Sequence, residues 1–558
     1  MATADPGVLA GGPDDLSATV AAWTARAIGP LEVRHDDTYA ASEARAGGSA
    51  LLLLGIAMDV ERPELGQDEV VAGLAHDLDA SWARFLDAID RLSGAHVIFA
   101  LSEGRLRVLQ DATGIESVCY DVSGRAPFLA SHPALMAELG GYRASEWGRA
   151  WLGHEKLDAG GIYFPGLRTL YDEVRILTPN TALDAGTLTV ERFFPREPLG
   201  TVEVDEIVER TAPMLTAQCR WLTERMPCIV SLTGGLDSRL TLAATREVKD
   251  RMRYFTYVVW GNPVHENDVA VAEKLAARLG LTHETWRVSR AEKLDPAFLE
   301  LWRRTHDGAQ GNGKFNAGIV PRYPEGHLHI RSNVLETMRG FYLKNRVNHP
   351  DRFTAHKLSR LFRQGTAAEF EPYFEEMLAV TEFTPERKLD IHYTDLFYWE
   401  HRLGGFHGGM VRGMKVSHNT YVLYNCRNLL KLLMARPLPE RAAGTVVYRL
   451  IEHLWPEVLE EAVYSGARFV DNPLRAGAPV LEEPVAPAVV KAPAAIRAPA
   501  LAPEPKPAPA SAAARASDAA KTLLELPVKG KGKGKGKSWT AGQIAREVVR
   551  RSLNHGDP

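Results

Sequence analysis

A short, mostly apolar run, Pro227-Cys228-Ile229-Val230-Ser231-Leu232, leads straight into Thr233-Gly234-Gly235-Leu236-Asp237-Ser238 and then into a helical pattern. An apolar run of this length without alternation predicts a strand buried on both faces, as in a parallel sheet. Parallel neighbours cannot be joined by a hairpin, so a crossover must follow each strand. The sequence supplies those crossovers. A helix is expected over Arg239 to Val248, a strand over Tyr254 to Trp260, a helix over Asn267 to Leu279 and a strand over Thr282 to Val288. This β-α-β-α-β succession predicts a doubly wound α/β layer. A helix over Val204 to Glu224 precedes it, with Pro213 as an expected kink or break. The remainder to Arg475 reads as mainly helical.

The loop itself carries chemistry. Two consecutive glycines allow a tight turn and close backbone approach. Successive N–H groups then make an anion nest, aimed by the following helix N-terminus. Thr233 and Ser238 add hydroxyls. No lysine is present, so this is not a Walker A loop. Asp237 would repel a phosphate unless a divalent cation lay between them, which points to Mg²⁺. Ser231, Leu232, Thr233, Gly234, Gly235, Asp237 and Ser238 are therefore the candidate phosphate-binding residues.

Residues 1–195 read differently, as an α+β arrangement of layers. Ala50–Met58 is an apolar strand, too short to span a bilayer. Asp68 to Leu92 has helical spacing. His96–Leu101 and Leu106–Leu109 flank Ser102-Glu103-Gly104-Arg105 as a hairpin. Further strands are expected near Gly161–Phe164 and Thr181–Phe194. Ala476 to Ala516 is rich in Ala and Pro, and Lys529 to Lys537 alternates Lys and Gly. The segment 476–558 is thus expected to be a disordered linker ending in a short basic helix, Ala541 to Leu553. It reads as a flexible, solubilising tether or as a basic docking peptide for an acidic partner, nucleic acid or a membrane surface. A net charge of -4 excludes a wholly basic nucleic-acid coat. The four cysteines, Cys119, Cys219, Cys228 and Cys426, are too scattered for a disulfide framework or a zinc site. Met1 to Asp15 has no export signal, so a cytoplasmic protein is expected.

The string TGGLDS resembles the SGGLDS loop of the asparagine synthetase-like ATP pyrophosphatases, the PP-loop amidotransferases. Phe255-Thr256-Tyr257, Asn267-Asp268, Ala272, Leu275-Ala276, Leu279-Gly280 and His283 are similar to the family's second strand and helix. Val259 falls where such enzymes meet the adenine. Arg331 to Tyr342 (RSNVLETMRGFY) can be laid on the family's SGEGSDELFGGY segment, which puts Glu336 at its metal-binding Asp. Asp90 to Gly94, the hairpin and Asp111 to Gly114 resemble the family's glutaminase half. The resemblance covers most of residues 50–460. It implies an Ntn-hydrolase-like domain over 1–195, a PP-loop synthetase domain over 196–475, ATP and Mg²⁺ as cofactors, and Asp237 and Glu336 as metal ligands.

Two departures bear on activity. Glutamine-dependent members use an N-terminal cysteine, but position 2 is Ala2, so glutamine hydrolysis is expected to be absent. The family's Glu that handles the incoming nitrogen is replaced by Asn333. β-Lactam synthetases and lasso-peptide cyclases also lack the cysteine and remodel this segment. The resemblance implies activation of a small-molecule or peptide carboxylate as an acyl-adenylate, then attack by ammonia or an amine. The family's pyrophosphate-binding lysine comes from the late helical region, where Lys415, Arg412 and Arg449 are the candidates. His306 to Asn316 reads as an acceptor-recognition loop or a solvent loop. His401, His407 and His418 read as ordinary core or surface histidines. The rival expectation is a non-catalytic nucleotide-binding scaffold tethered by its tail.

Overall fold

The computed structural model describes residues 2–3, 20–37, 39–124, 128–152, 163–259, 263–288, 296, 298, 302, 318–343, 350–363, 368–461, 463–465 and 468–470. The tail and the 306–316 segment named above lie outside the described residues.

The N-terminal part is built on two packed sheets. One is antiparallel, in the order Val190–Arg192, Thr181–Asp184, Arg105–Gln110, Leu92–Ser102, Ser49–Asp59 and Ala41–Ala46. Its two long central strands, Ser49–Asp59 and Leu92–Ser102, are buried along almost their whole length because both faces are covered. Leu52, Leu54, Val97, Phe99 and Val108 share a core with Ile28, Val33, Tyr120 and Leu129 of the second sheet. Leu51, Leu53, Ile98 and Leu109 pack in another core with Val70, Val71, Leu74 and Leu78 of the helix Gln67–Ala80. The second sheet runs Val174–Ile176, Cys119–Asp121, Leu129–Ala130, Ala2–Thr3, Leu31–His35 and Thr24–Ile28. Residues Leu135, Met136 and Ala137 of the helix Pro133–Gly140 share a further core with its Cys119, Ala130 and Val174. The hairpin turns on Glu103 and Gly104, at φ 52° and 73°. Positive φ at both central residues is the primed turn that matches strand twist.

Local details depart from the expectations. The 68–92 helix is two helices, Gln67–Ala80 and Trp82–Ile89, and Leu92 already begins a strand. Ser81 is extended, at φ -174° and ψ 154°, and its side chain accepts from Arg84 N at 3.2 Å. A serine N-cap thus starts a new helix where the apolar spacing continues unbroken. Tyr163 and Phe164 lie in no strand. The helix Val204–Arg225 runs through Pro213 rather than ending there.

The parallel sheet is as expected and gains two strands. Its order is His283–Val288, Met252–Val259, Cys228–Ser231, Leu328–Arg331 and Thr420–Val422, all parallel. Ile229 and Val230 are fully buried on opposite faces, in separate cores. In chain order the strands run outward from the central one, then restart on its other side at Leu328–Arg331. The crevice at the carboxyl ends of these two neighbours is the topological switch point of such a sheet, where ligands bind in open α/β folds. The protein is therefore a mixed α/β molecule. One hydrophobic core runs continuously from the N-terminal helices to the last described strands. Among the described residues no helix is long and apolar enough to cross a membrane.

Candidate functional site

The glycine loop leaves the central strand at the switch point. Leu232 N still donates to Phe255 O at 2.8 Å, and Thr256 Oγ1 donates to Leu232 O at 2.7 Å. From Thr233 the chain turns on side-chain bonds. Thr233 N donates to Ser238 Oγ at 3.2 Å, Gly235 N to Thr233 Oγ1 at 3.2 Å, and Gly234 N to Asp268 Oδ1 at 2.9 Å. Gly235 is the N-cap of the helix Leu236–Ala244, at φ -76° and ψ 159°, with no side-chain cap. The expected nest therefore differs in detail. The amides of residues 233–235 hold the loop's own shape, which leaves the amides of the first helical turn, without intrahelical acceptors, as the donors open to an anion. Arg239 lies beneath the loop, fully buried. It donates to Gly234 O at 3.3 Å, Val458 O at 2.9 Å and Glu461 O at 2.6 Å, and burial lowers its pKa to about 10.

The neighbouring strand, Leu328–Arg331, supplies the other wall. Val334 sits at φ 89° and ψ -33°, an unusual conformation for a β-branched residue. It holds the place of the second glycine in the segment laid on Arg331–Tyr342. The chain then enters the short helical turn Leu335–Thr337, which carries Glu336, and Arg339 follows three residues after Glu336. Arg339 Nη1 then lies 3.0 Å from Asp237 Oδ1 and 3.6 Å from Glu336 Oε1. The two carboxylates expected to share a cation thus meet at one guanidinium. Burial opposes the charge on Arg339, but Asp237 and Glu336 outweigh it and raise its pKa. Tyr398 closes one side. Its phenol is pushed up by burial and by the charge of Glu336.

The other sequence candidates fall elsewhere. Val259 ends its strand, paired with Val288 at the same carboxyl edge. Lys415 is committed to Glu116 and the Tyr39 hydroxyl of the N-terminal layers. Arg412 Nη1 donates to Ser117 Oγ at 2.5 Å. Arg449 is on the surface, paired with Asp205 at 3.0 Å and Glu452 at 2.8 Å. The cation that stands between the two crevice carboxylates is Arg339. An i, i+3 relation to Glu336 could have flagged it. Asp268 was named only within the resembling second helix; its bond to Gly234, which spans 34 residues, has no local signal. Among the histidines, His401 stacks on Phe397 with centroids 4.8 Å apart and His418 on Tyr323 at 3.8 Å. Burial lowers both, and His407, to about 3. They are core groups, and no cluster of three metal-ligating side chains occurs among the described residues.

No family profile matches the chain, and no curated protein matches it. Solved structures similar to it include a glutamine-dependent NAD⁺ synthetase from Acinetobacter baumannii in complex with ADP, at 18% identity, 28% of each chain and a TM-score of 0.16. Another is the glutamine PRPP amidotransferase from B. subtilis complexed with ADP and GMP, at 13% identity, 54% of this chain, 59% of that one and a TM-score of 0.18. A third is the NMN synthetase from Francisella tularensis, at 14% identity, 46% of this chain, 96% of that one and a TM-score of 0.18. The chain thus spans 28% and 59% of the first two proteins. Likenesses this low carry no weight for the chemistry, which has to rest on the crevice itself.

Proposed function

We propose that the chain is an ATP-dependent amide-bond-forming ligase of the asparagine synthetase type. In this proposal residues 1–195 form a glutaminase-like layer, residues 196–475 form the synthetase layer, and nitrogen comes from ammonia or an amine. The observation that carries it is the meeting of Asp237 and Glu336 on one cation, beside an uncapped helix N-terminus, at the switch point of a parallel sheet.

Whether Mg²⁺ suits this place turns on the donor set. Two carboxylates converge on one point, and Mg²⁺ is held by one or two carboxylates together with substrate phosphates. The residues fit: Asp237 and Glu336 would hold the ion. When bound, it would neutralise charge on the phosphates. The chain's own groups do the rest. The first-turn amides of Leu236–Ala244 bind phosphate oxygens and orient the triphosphate. Asp268, Thr233 and Ser238 keep the loop rigid, so this binding needs little reorganisation. The substrate carboxylate attacks the α-phosphorus and pyrophosphate leaves. Tyr398, buried against Phe341 with ring centroids 4.8 Å apart, helps to exclude water from the acyl-adenylate. The amine then attacks the acyl carbon, forming the C–N bond and releasing AMP.

A nucleotide-binding scaffold is the second reading. It is favoured by the commitment of Lys415, Arg412 and Arg449 to structural partners. Mg²⁺-dependent ATP–pyrophosphate exchange across a panel of carboxylates, beginning with aspartate, separates the two. Exchange with one acid, lost in Asp237→Asn, supports the ligase. ATP binding without exchange for any acid supports the scaffold.

A further inference from the structure

Arg339 stands where the resembling segment carries an apolar residue, and it faces both carboxylates. The charges of Asp237, Glu336 and Arg339 sum to one negative. A free divalent ion entering between the carboxylates would meet the guanidinium at short range and repel it. Arg339 could yield only if another anion received it. A triphosphate provides one. The guanidinium also has capacity to spare: Arg339 Nε is buried and without a hydrogen-bond partner among the described residues. A planar guanidinium with a free edge suits a phosphate oxygen. Because Arg339 lies three residues after Glu336, its guanidinium reaches both carboxylates from one backbone position.

We propose that Arg339 is a resident counter-cation that bars free divalent metal from the Asp237–Glu336 pair and gives way only when metal arrives with a nucleotide, whose phosphate then receives the guanidinium. The proposal rests on the crevice being a metal–nucleotide site. Its test uses the full chain and Mn²⁺ alone, followed by the resonance of the free ion. Wild type should bind Mn²⁺ weakly without ATP. Arg339→Gln should bind it at least tenfold more tightly, and Arg339→Lys should behave as wild type. The gain should vanish in Asp237→Asn/Arg339→Gln. Arg339→Met, which keeps the bulk, replaces the Gln variant if the latter does not fold. Equal Mn²⁺ affinity in wild type and the neutral variants would overturn the proposal, as would a gain that persists in the double variant. A fluorescent ATP analogue with Mn²⁺ separates the two levels. If no form binds it, the functional reading fails. If it binds while the neutral variants gain nothing, only the role of Arg339 fails.

Discussion

Arg239 shows how much one side chain does beneath the loop. Its guanidinium reaches the carbonyls of Gly234, Val458 and Glu461, tying the glycine loop to the last described helices. A lysine has the charge without the planar fork. Arg239→Lys is expected to cost about 2–3 kcal/mol, since hydrogen bonds to charged groups are worth about 1.5–3 kcal/mol each and not all would be lost. Urea unfolding measures this; an unchanged midpoint would remove Arg239 from the account. The loop residues around it were legible because their types carry the chemistry: paired glycines, hydroxyls and a carboxylate after a buried strand. Arg239 was legible only as a helix residue. Arginines are seldom fully buried, and its carbonyl partners at Val458 and Glu461 lie more than 200 residues away. Likewise Arg339 was in view beside Glu336, but its closer partner, Asp237, is 102 residues distant.

Among elements, the pair Ser49–Asp59 and Leu92–Ser102 is the least tolerant. Gly94 sits at φ 137° opposite Ala57, and a Cβ there would stand 2.0 Å from Ile56 O. Its carbonyl also accepts from the Asn425 amide, which donates in addition to Asp111 Oδ1 at 2.8 Å. Gly94→Ala should therefore destabilise the protein by more than about 3 kcal/mol, as strain at a special backbone position does. Soluble yield and thermal melting check this, and a wild-type melt would contradict it. The stretches 90–94 and 111–114 thus serve here as the seam between the N-terminal sheets and the segment around Asn425. Strands and the hairpin were legible from apolar runs and the Glu103-Gly104 turn. The break at Ser81 was not, because Leu78, Trp82, Phe85 and Leu86 keep helical spacing across it. The strand Leu328–Arg331 was also missed, although it builds half of the crevice. Four residues containing a histidine and an arginine do not read as a buried strand until neighbours cover both faces.

At the scale of the molecule, the layers are joined by buried polar groups as well as by apolar packing. Arg192 grips Glu400 through two bonds of 2.5 and 2.7 Å, with both side chains essentially inaccessible. Burial raises the pKa of Glu400 against the pull of Arg192. Glu400→Leu would strand a buried guanidinium and should cost about 3–5 kcal/mol; denaturant unfolding at pH 7 checks it. Acid should act through the histidines. His401 has a folded value of about 3 against an ordinary 6.5, because burial, aided by Arg402, disfavours its charge. The unfolded chain therefore binds the extra proton between those values. The resulting stability is complete above pH 6.5 and is lost as pH falls toward 3, by up to about 1.4 kcal/mol per pH unit for each such group. His401→Phe should flatten the fall in melting temperature between pH 6 and 4; an unchanged slope would contradict this origin. The central claim is that the switch-point crevice binds a metal–nucleotide through Asp237 and Glu336. The most direct measurement is titration of the full chain with a fluorescent ATP analogue and Mg²⁺, in wild type, Asp237→Asn and Glu336→Gln. Saturable binding in wild type, dependent on Mg²⁺ and weakened at least tenfold in both variants, is the predicted result. Equal binding in all three, or none in wild type, would contradict it.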